Sequence, residues 1–251
     1  MNIAVCIKQV PDTASQLKIS EDNKSIDENG LKYEINPFDE YALEEALRLK
    51  DNDSTINITV ISLGPERVKQ SLTKTLAMGA DEALHIETDE IIDDCMNIAT
   101  TIADEIKKNQ YDLILFGKKS VDQDNNQVGI MIGELNNISC ISNCSEFRID
   151  GNKIIANREV EGSVEVFESE LPVIITHEKG KNELRYPSLK ELMAAKKKPI
   201  NTIKNEVNKD KRSELIKLEY PEKRKEGVII GEDKSAVTEL VRILREDKKI
   251  I

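Results

Sequence analysis

The chain has no tryptophan, and aromatic residues make up only 4 % of its 251 positions. Any core must therefore be aliphatic. Two histidines, His85 and His177, and four cysteines, Cys6, Cys95, Cys140 and Cys144, are all there is to hold a soft metal. Neither histidine adjoins the one close cysteine pair, so reduced thiols are expected, with no metal site and no disulfide frame. No apolar run approaches the roughly 18 residues that span a bilayer. Asn2-Ile3-Ala4-Val5-Cys6-Ile7 reads as a strand with no basic stretch before it. Membrane insertion and a secretory leader are thus not expected, and a cytoplasmic location is. The G-x-S-x-G and G-x-x-x-x-G-K-[ST] patterns and any Cys–His pairing are missing too, so no catalytic residue is assigned.

What is present is charge and aliphatic periodicity. The net charge of −11 divides unevenly: residues 1–189 carry 19 basic against 35 acidic side chains, and residues 190–251 carry 17 against 12. Such acidity argues against nucleic acid as a partner. The basic tail either lies on the acidic body or on another subunit, or is a solvated segment. At 39 % hydrophobic residues, the chain can fill one large domain, or one domain and an appendage.

Apolar runs at residues 2–7, 56–61, 83–86 and 112–116 alternate with helical periodicities at 36–50, 68–78 and 93–108, which predicts a doubly wound, mainly parallel α/β sheet. Asn36 and Pro37 stand as N-cap and first helical residue, and Gly79 as a helix stop. Residues 16–20 and 30–35 read as an exposed hairpin. From Ser145 the period shortens. Segments 146–149, 153–159, 163–169 and 173–176 are expected as an antiparallel extension of the same sheet. A terminal amphipathic helix is expected over 235–247, with Val237, Leu240, Val241 and Leu244 on one face.

The most informative stretch is Gly117-Lys118-Lys119-Ser120-Val121-Asp122-Gln123-Asp124-Asn125-Asn126-Gln127-Val128, between the strand Leu113–Phe116 and a short apolar helix. A strand ending in glycine that opens into a polar loop and a helix N-terminus suits a phosphate group. The alternative is a solvated loop whose Asn125 caps the helix. Asp122 and Asp124 could also serve as an acid–base pair, although ribose or base hydrogen bonds use them equally well. With the strand ends at Cys6 and Leu63 and the helix start at Asn36-Pro37-Phe38-Asp39, the loop frames an adenine-nucleotide crevice.

Asn36-Pro37-Phe38-Asp39-Glu40, Leu76-Ala77-Met78-Gly79-Ala80-Asp81, residues 117–129, Arg158-Glu159-Val160-Glu161-Gly162, Arg185-Tyr186-Pro187-Ser188-Leu189 and Ala194-Ala195-Lys196-Lys197-Lys198-Pro199 occur in this order. Together they resemble the beta subunit of electron transfer flavoprotein, over residues 1 to about 203. The resemblance implies an adenine nucleotide alpha-hydrolase-like fold for 1–203. It implies a C-terminal linker and helix, 204–251, that contacts an alpha subunit in a heterodimer. It implies a structural AMP at Cys6, Asn36, Pro37, Phe38, Asp39, Leu63 and residues 117–128, with FAD mostly in the alpha subunit. Leu189 would anchor partner dehydrogenases, or else be a core leucine of a short helix, and Glu159 would face the alpha subunit.

The role so implied is an electron carrier, not an enzyme. It would link flavin dehydrogenases such as acyl-CoA dehydrogenases, hence fatty acid oxidation, to a quinone oxidoreductase. Members with D-G-D-T-A-Q-V-G-P in the loop tend to bind a second FAD and to bifurcate electrons. Asp122-Gln123-Asp124-Asn125-Asn126-Gln127-Val128-Gly129 is closer to the AMP form. Thr13 departs from members that place a tyrosine near the flavin ring. The rival classes are that bifurcating branch and a free-standing nucleotide-binding protein of the universal-stress type.

Overall fold

The computed structural model describes residues 1–89, 93–204, 212–223 and 226–251, in two compact units, Met1–Lys217 and Leu218–Ile251. The expected linker and helix, 204–251, lies partly outside the described residues.

The first unit is built on seven strands whose ladders are all parallel. In chain order they are β1 (Asn2–Cys6), β4 (Asn57–Gly64), β5 (Glu82–Glu87), β6 (Leu113–Gly117), β7 (Ser139–Cys144), β11 (Val173–His177) and β12 (Asn201–Lys204). Their spatial order is β12-β5-β4-β1-β6-β11-β7. The chain steps from β1 to β4 to β5, then crosses back to β6 on the other side of β1. The switch point of the doubly wound sheet therefore falls between β1 and β6, where a crevice opens at the carboxyl ends.

Two apolar layers cover the sheet. Ile3, Val5, Ile58, Val60, Leu113, Leu115, Val173 and Ile175 meet Leu43, Ala46 and Leu47 of α1 (Pro37–Asn52), Leu72 and Leu76 of α2 (Val68–Met78) and Ala195 of α5 (Leu189–Ala195). Ala4, Cys6, Ile61, Ile86, Ile114, Phe116 and Ile174 meet Ala99, Ile102 and Ile106 of α3 (Cys95–Lys107) and Ile132 of α4 (Val128–Asn136). Each fully buried Leu or Ile contributes roughly 1.5–3 kcal/mol of transfer free energy, so this aliphatic double layer holds the site in place.

Three expectations are corrected. The antiparallel extension is a sheet of its own, β10-β9-β8 (Ser163–Glu170, Lys153–Val160, Glu146–Asp150), resting Phe147, Ile149, Ile154, Ala156 and Phe167 on the α1 side of the core. Its supposed fourth strand, β11, instead runs parallel inside the central sheet, with every residue buried. Burial on both faces is what the continuous apolar run Val173-Ile174-Ile175 demands. β7 was hidden because Ser139-Cys140-Ile141-Ser142-Asn143-Cys144 shows no apolar run. Finally, the hairpin expected as exposed pairs β2 (Gln9–Pro11) with β3 (Tyr33–Ile35) and buries Val10 and Ile35, and 16–20 contributes a single bridge, Ile19 to Ile26.

Within the second unit, α6 (Ser235–Arg242) continues into a π-helical turn, Ile243–Asp247, and neither buries a residue.

Candidate functional site

The first turn of α1 organises the crevice. Asn36 occupies the N-cap position, yet its side chain makes no cap bond. Its amide is turned across the crevice: Nδ2 donates to the Lys119 carbonyl at 2.9 Å, and Oδ1 accepts from the Val121 N–H at 3.1 Å. The Asn36 N–H donates to the Lys8 carbonyl at 2.9 Å. One residue thus ties the continuation of β1 and the loop after β6 to the same helix start.

Asp39, one turn on, is buried. Its Oδ2 accepts from the Lys8 N–H at 2.7 Å and its Oδ1 from the Gly117 N–H at 3.0 Å. Burial lifts its pKa to about 7, although these amides and the Asn36 side chain pull the other way. Beside it, burial and then the Asp39 charge push the Cys6 thiol far above its ordinary range, so Cys6 is inert at neutral pH. Gly117 is required on steric grounds. A Cβ there would stand 2.7 Å from the Asp39 nitrogen and from the Phe38 carbonyl carbon.

The loop that follows is wired by its own charges. Lys8 Nζ lies 2.7 Å from Asp122 Oδ2 and donates to Gln123 Oε1 at 3.1 Å; Lys119 pairs with Asp124 at 2.5 Å and Lys118 with Glu178. The Lys118 and Lys119 ammoniums also sit over the Phe38 ring, 5.4 and 5.9 Å from its centre. Asp124 and Asn126 both take left-handed backbone, φ +58° and +51°, a conformation that Asp and Asn adopt more readily than other side chains. Asn125 Nδ2 reaches Cys95 Sγ at 3.2 Å, so Asn125 is not the cap of α4. Gln127 takes that position, and no side chain caps the helix.

The loop's end is shaped for an anionic group with a polar neighbour. Uncapped amides at the start of α4 attract a phosphate. The helix begins hard against β6 and β11, since a Cβ on Gly129 would lie 2.8 Å from Thr176 Cγ2. Asn126 donates to Asn143 Oδ1 at 3.1 Å, and its own Oδ1 is buried without a hydrogen-bond partner among the described residues. A buried acceptor left open costs about 1–3 kcal/mol, and a ligand donor would relieve it. The residues present therefore fit a nucleotide. No group of His, Cys, Asp or Glu suited to a metal occurs among the described residues.

The electron transfer flavoprotein domain model matches residues 24–208. The chain is 35 % identical to the electron transfer flavoprotein subunit beta of Bacillus subtilis over the whole of both chains. It is 32 % identical to the human subunit beta, covering 98 % of each. It is 39 % identical to that of Megasphaera elsdenii, over 80 % of this chain and 77 % of the other. The chain belongs to the electron transfer flavoprotein beta-subunit family. It is an electron carrier by family, not an enzyme.

Set in that family, the residues named from sequence fall into two groups. Cys6, Asn36, Pro37, Phe38, Asp39 and the loop 117–128 gather at the β1–β6 crevice, with Leu63 on neighbouring β4. Glu159 lies elsewhere, exposed on β9. Leu189 is elsewhere too, 76 % exposed at the start of α5. It borders a groove of about 440 Å³ with Tyr33, Ile35, Lys74, Leu192 and Met193, so it is not a core leucine. Sequence reasoning placed Lys8 at the strand end by the crevice and gave its side chain no role, although it is the cation that holds Asp122 and Gln123. Its position one residue after an apolar strand was the available signal. It also passed over Asn143 and Thr176, because the strands that carry them were unread or misplaced.

Proposed function

We propose that this chain is the beta subunit of a heterodimeric electron transfer flavoprotein that keeps a structural AMP in the β1–β6 crevice. An alpha subunit holds most of the FAD, and electrons pass from flavin dehydrogenases such as acyl-CoA dehydrogenases towards a quinone oxidoreductase. The observation that carries the AMP is the loop 117–128, clamped by Asn36 and Asp39, ending in uncapped amides and an open Asn126 acceptor. Amides of the α4 start would take the phosphate, and main chain near Cys6 and Leu63 the adenine. The flavin, when bound, supplies the redox chemistry. The residues of this chain position the nucleotide and present docking surfaces. AMP binding only the folded chain would add about 4 kcal/mol of stability at a thousandfold excess over its Kd.

Two exposed surfaces support the partner assignments. Tyr186, Leu189 and Met193 are 76 %, 76 % and 55 % exposed, an apolar cluster suited to a partner dehydrogenase. Val228, Ile229, Val237 and Leu240 of the second unit are also exposed and would lie on the alpha subunit, with Glu159 contributing an acidic contact. No helix among the described residues is long and apolar enough to cross a membrane, which suits a cytoplasmic carrier.

Nucleotide analysis of the purified heterodimer is the test. One FAD and one AMP per heterodimer is the expected content. Two FAD would place the protein in the bifurcating branch, and a stable homodimer exchanging ATP would move it to the universal-stress type. Deleting Asp233–Ile251 should weaken association with the alpha subunit and leave the α/β unit folded.

A further inference from the structure

Beyond the last ladder pair of β1 and β6, Cys6 with Phe116, the two strands no longer bond to each other. The N–H groups of Lys8 and Gly117 would be orphaned there, and buried amides need partners. Asp39 supplies both, one oxygen to each, at 2.7 and 3.0 Å. Each oxygen of Asp39, in the middle of the nucleotide-site motif, is thus engaged with the protein's own backbone. The Lys8 ammonium pairs directly with Asp122 and Gln123, so the buried charge is held first by the Lys8 N–H, then by the Asn36 side chain and the Gly117 N–H, with the Lys8 charge adding least. Gly117 leaves room for this approach, which a Cβ would block.

We propose that Asp39 is the positioning residue of the crevice: its ionised carboxylate latches the ends of β1 and β6 at the spacing a nucleotide needs, and taking up a proton loosens the latch. The inference rests on the nucleotide reading above. A carboxylate accepts two charge-assisted amide bonds, whereas a neutral carboxyl accepts them more weakly and carries a proton that must itself be placed. The groups facing it are the Cys6 thiol and the Lys8 amide and charge from β1 and its continuation, the Asn36 amide from α1, and the Gly117 N–H from β6. Of these, burial and the neighbouring negative charge keep Cys6 protonated, and Asn36 and the amides do not titrate. Burial brings Asp39 itself to a pKa of about 7, inside the working range. By linkage, a nucleotide that prefers the latched crevice binds more weakly in acid, and its binding expels a proton.

The test uses the heterodimer stripped of nucleotide, titrated with AMP from pH 8 to pH 6 in two buffers of different ionisation enthalpy. Affinity should fall by up to about tenfold per pH unit below 7, with proton release on binding. Asp39→Asn, similar in shape and unable to titrate, should show a shallower profile that keeps only the slope of the AMP phosphate, whose second pKa is about 6. An unchanged slope in Asp39→Asn, or a flat profile in the wild type, overturns the proposal. Hydrogen exchange of the Lys8 and Gly117 amides in the wild-type heterodimer reads the latch without a variant or a ligand. Protection, corrected for intrinsic rates, should drop as pH falls through about 7, and constant protection overturns it. Absence of AMP binding even at pH 8 would instead sink the nucleotide reading, leaving the exchange result to decide on the latch.

Discussion

Helix α1 and helix α6 carry the same kind of apolar stripe and meet opposite fates. Ala42, Leu43, Ala46 and Leu47 are at most 2 % exposed, whereas Val237, Leu240 and Val241 are 60 %, 42 % and 37 % exposed. A 3.6-residue apolar period shows that a face needs cover and is silent on what covers it. In the α/β unit the cover is this chain's own sheet. In the second unit no described helical residue is buried, so the stripe stays exposed.

The sharpest way to break this comparison is to make the same deletion in both helices. Leu43→Ala should cost about 2–5 kcal/mol, because it opens a cavity under α1. Leu240→Ala should stay within about 0.5 kcal/mol in the isolated chain. Urea unfolding of the two variants decides it, and similar losses would mean that α6 already has a core. Gly117→Ala comes next. Its methyl would enter the space between β6 and the first turn of α1, and about 3 kcal/mol is expected from such overpacking. The same substitution at Gly227, where a Cβ meets nothing within 4 Å, should be nearly silent.

Ion pairs draw the line again on a smaller scale. Arg185 grips the buried Glu44 through Nε at 2.9 Å and Nη2 at 3.0 Å, and reaches Asp51 at 2.7 Å. It fixes the root of the exposed Tyr186–Leu189 segment to α1. Arg185→Ala leaves Glu44 with Arg48 and the backbone N–H of residue 185, each at 3.2 Å, and should cost about 1.5–3 kcal/mol, as for a hydrogen bond to a charged group. Arg242 of α6 also pairs with Glu239 at 2.8 Å, with both side chains exposed. Its removal should be undetectable by urea unfolding of the isolated chain.

How much of this was legible in sequence follows from the same physics. The strands β1, β4 and β6 announce themselves as apolar runs, and the helices between them as periodic stripes, because burial dictates residue type. The crevice was legible because Gly117 and the polar loop directly follow such a run. β7 was not, since Ser139, Ser142 and Asn143 break the pattern and the strand is held by its ladder to β11. Nor was the latch. Asn36 and Asp39 look like ordinary helix-start residues, and only the approach of α1 to β6 turns their side chains to another use. Polar side chains reveal their type in sequence but not their partners.

The last prediction concerns pH, and it separates the two units once more. Asp39 has a folded pKa of about 7, raised from 3.8 by burial. Between those values the folded chain keeps a proton that the unfolded chain has lost. Its contribution to stability is therefore complete below about 3.8 and lost as pH rises towards 7. His177 is buried too, packed edge-on to Phe147 at 6.1 Å, and burial pushes its pKa below the ordinary 6.5. It acts in the opposite direction: its contribution is present above 6.5 and lost as pH falls below it. Each changes the unfolding free energy by up to about 1.4 kcal/mol per pH unit in its window. Just below pH 6.5 the two act in opposite directions, which blunts the response of the wild-type urea midpoint there. Asp39→Asn should unmask a loss in acid, and His177→Gln a loss towards neutrality. The charges of α6, with Glu239 and Arg242 exposed and paired with each other, should contribute little to either slope. Removing Asp233–Ile251 should accordingly leave the pH profile of the α/β unit where it was, and a profile that moves with the deletion would show that the second unit is covered by this chain after all.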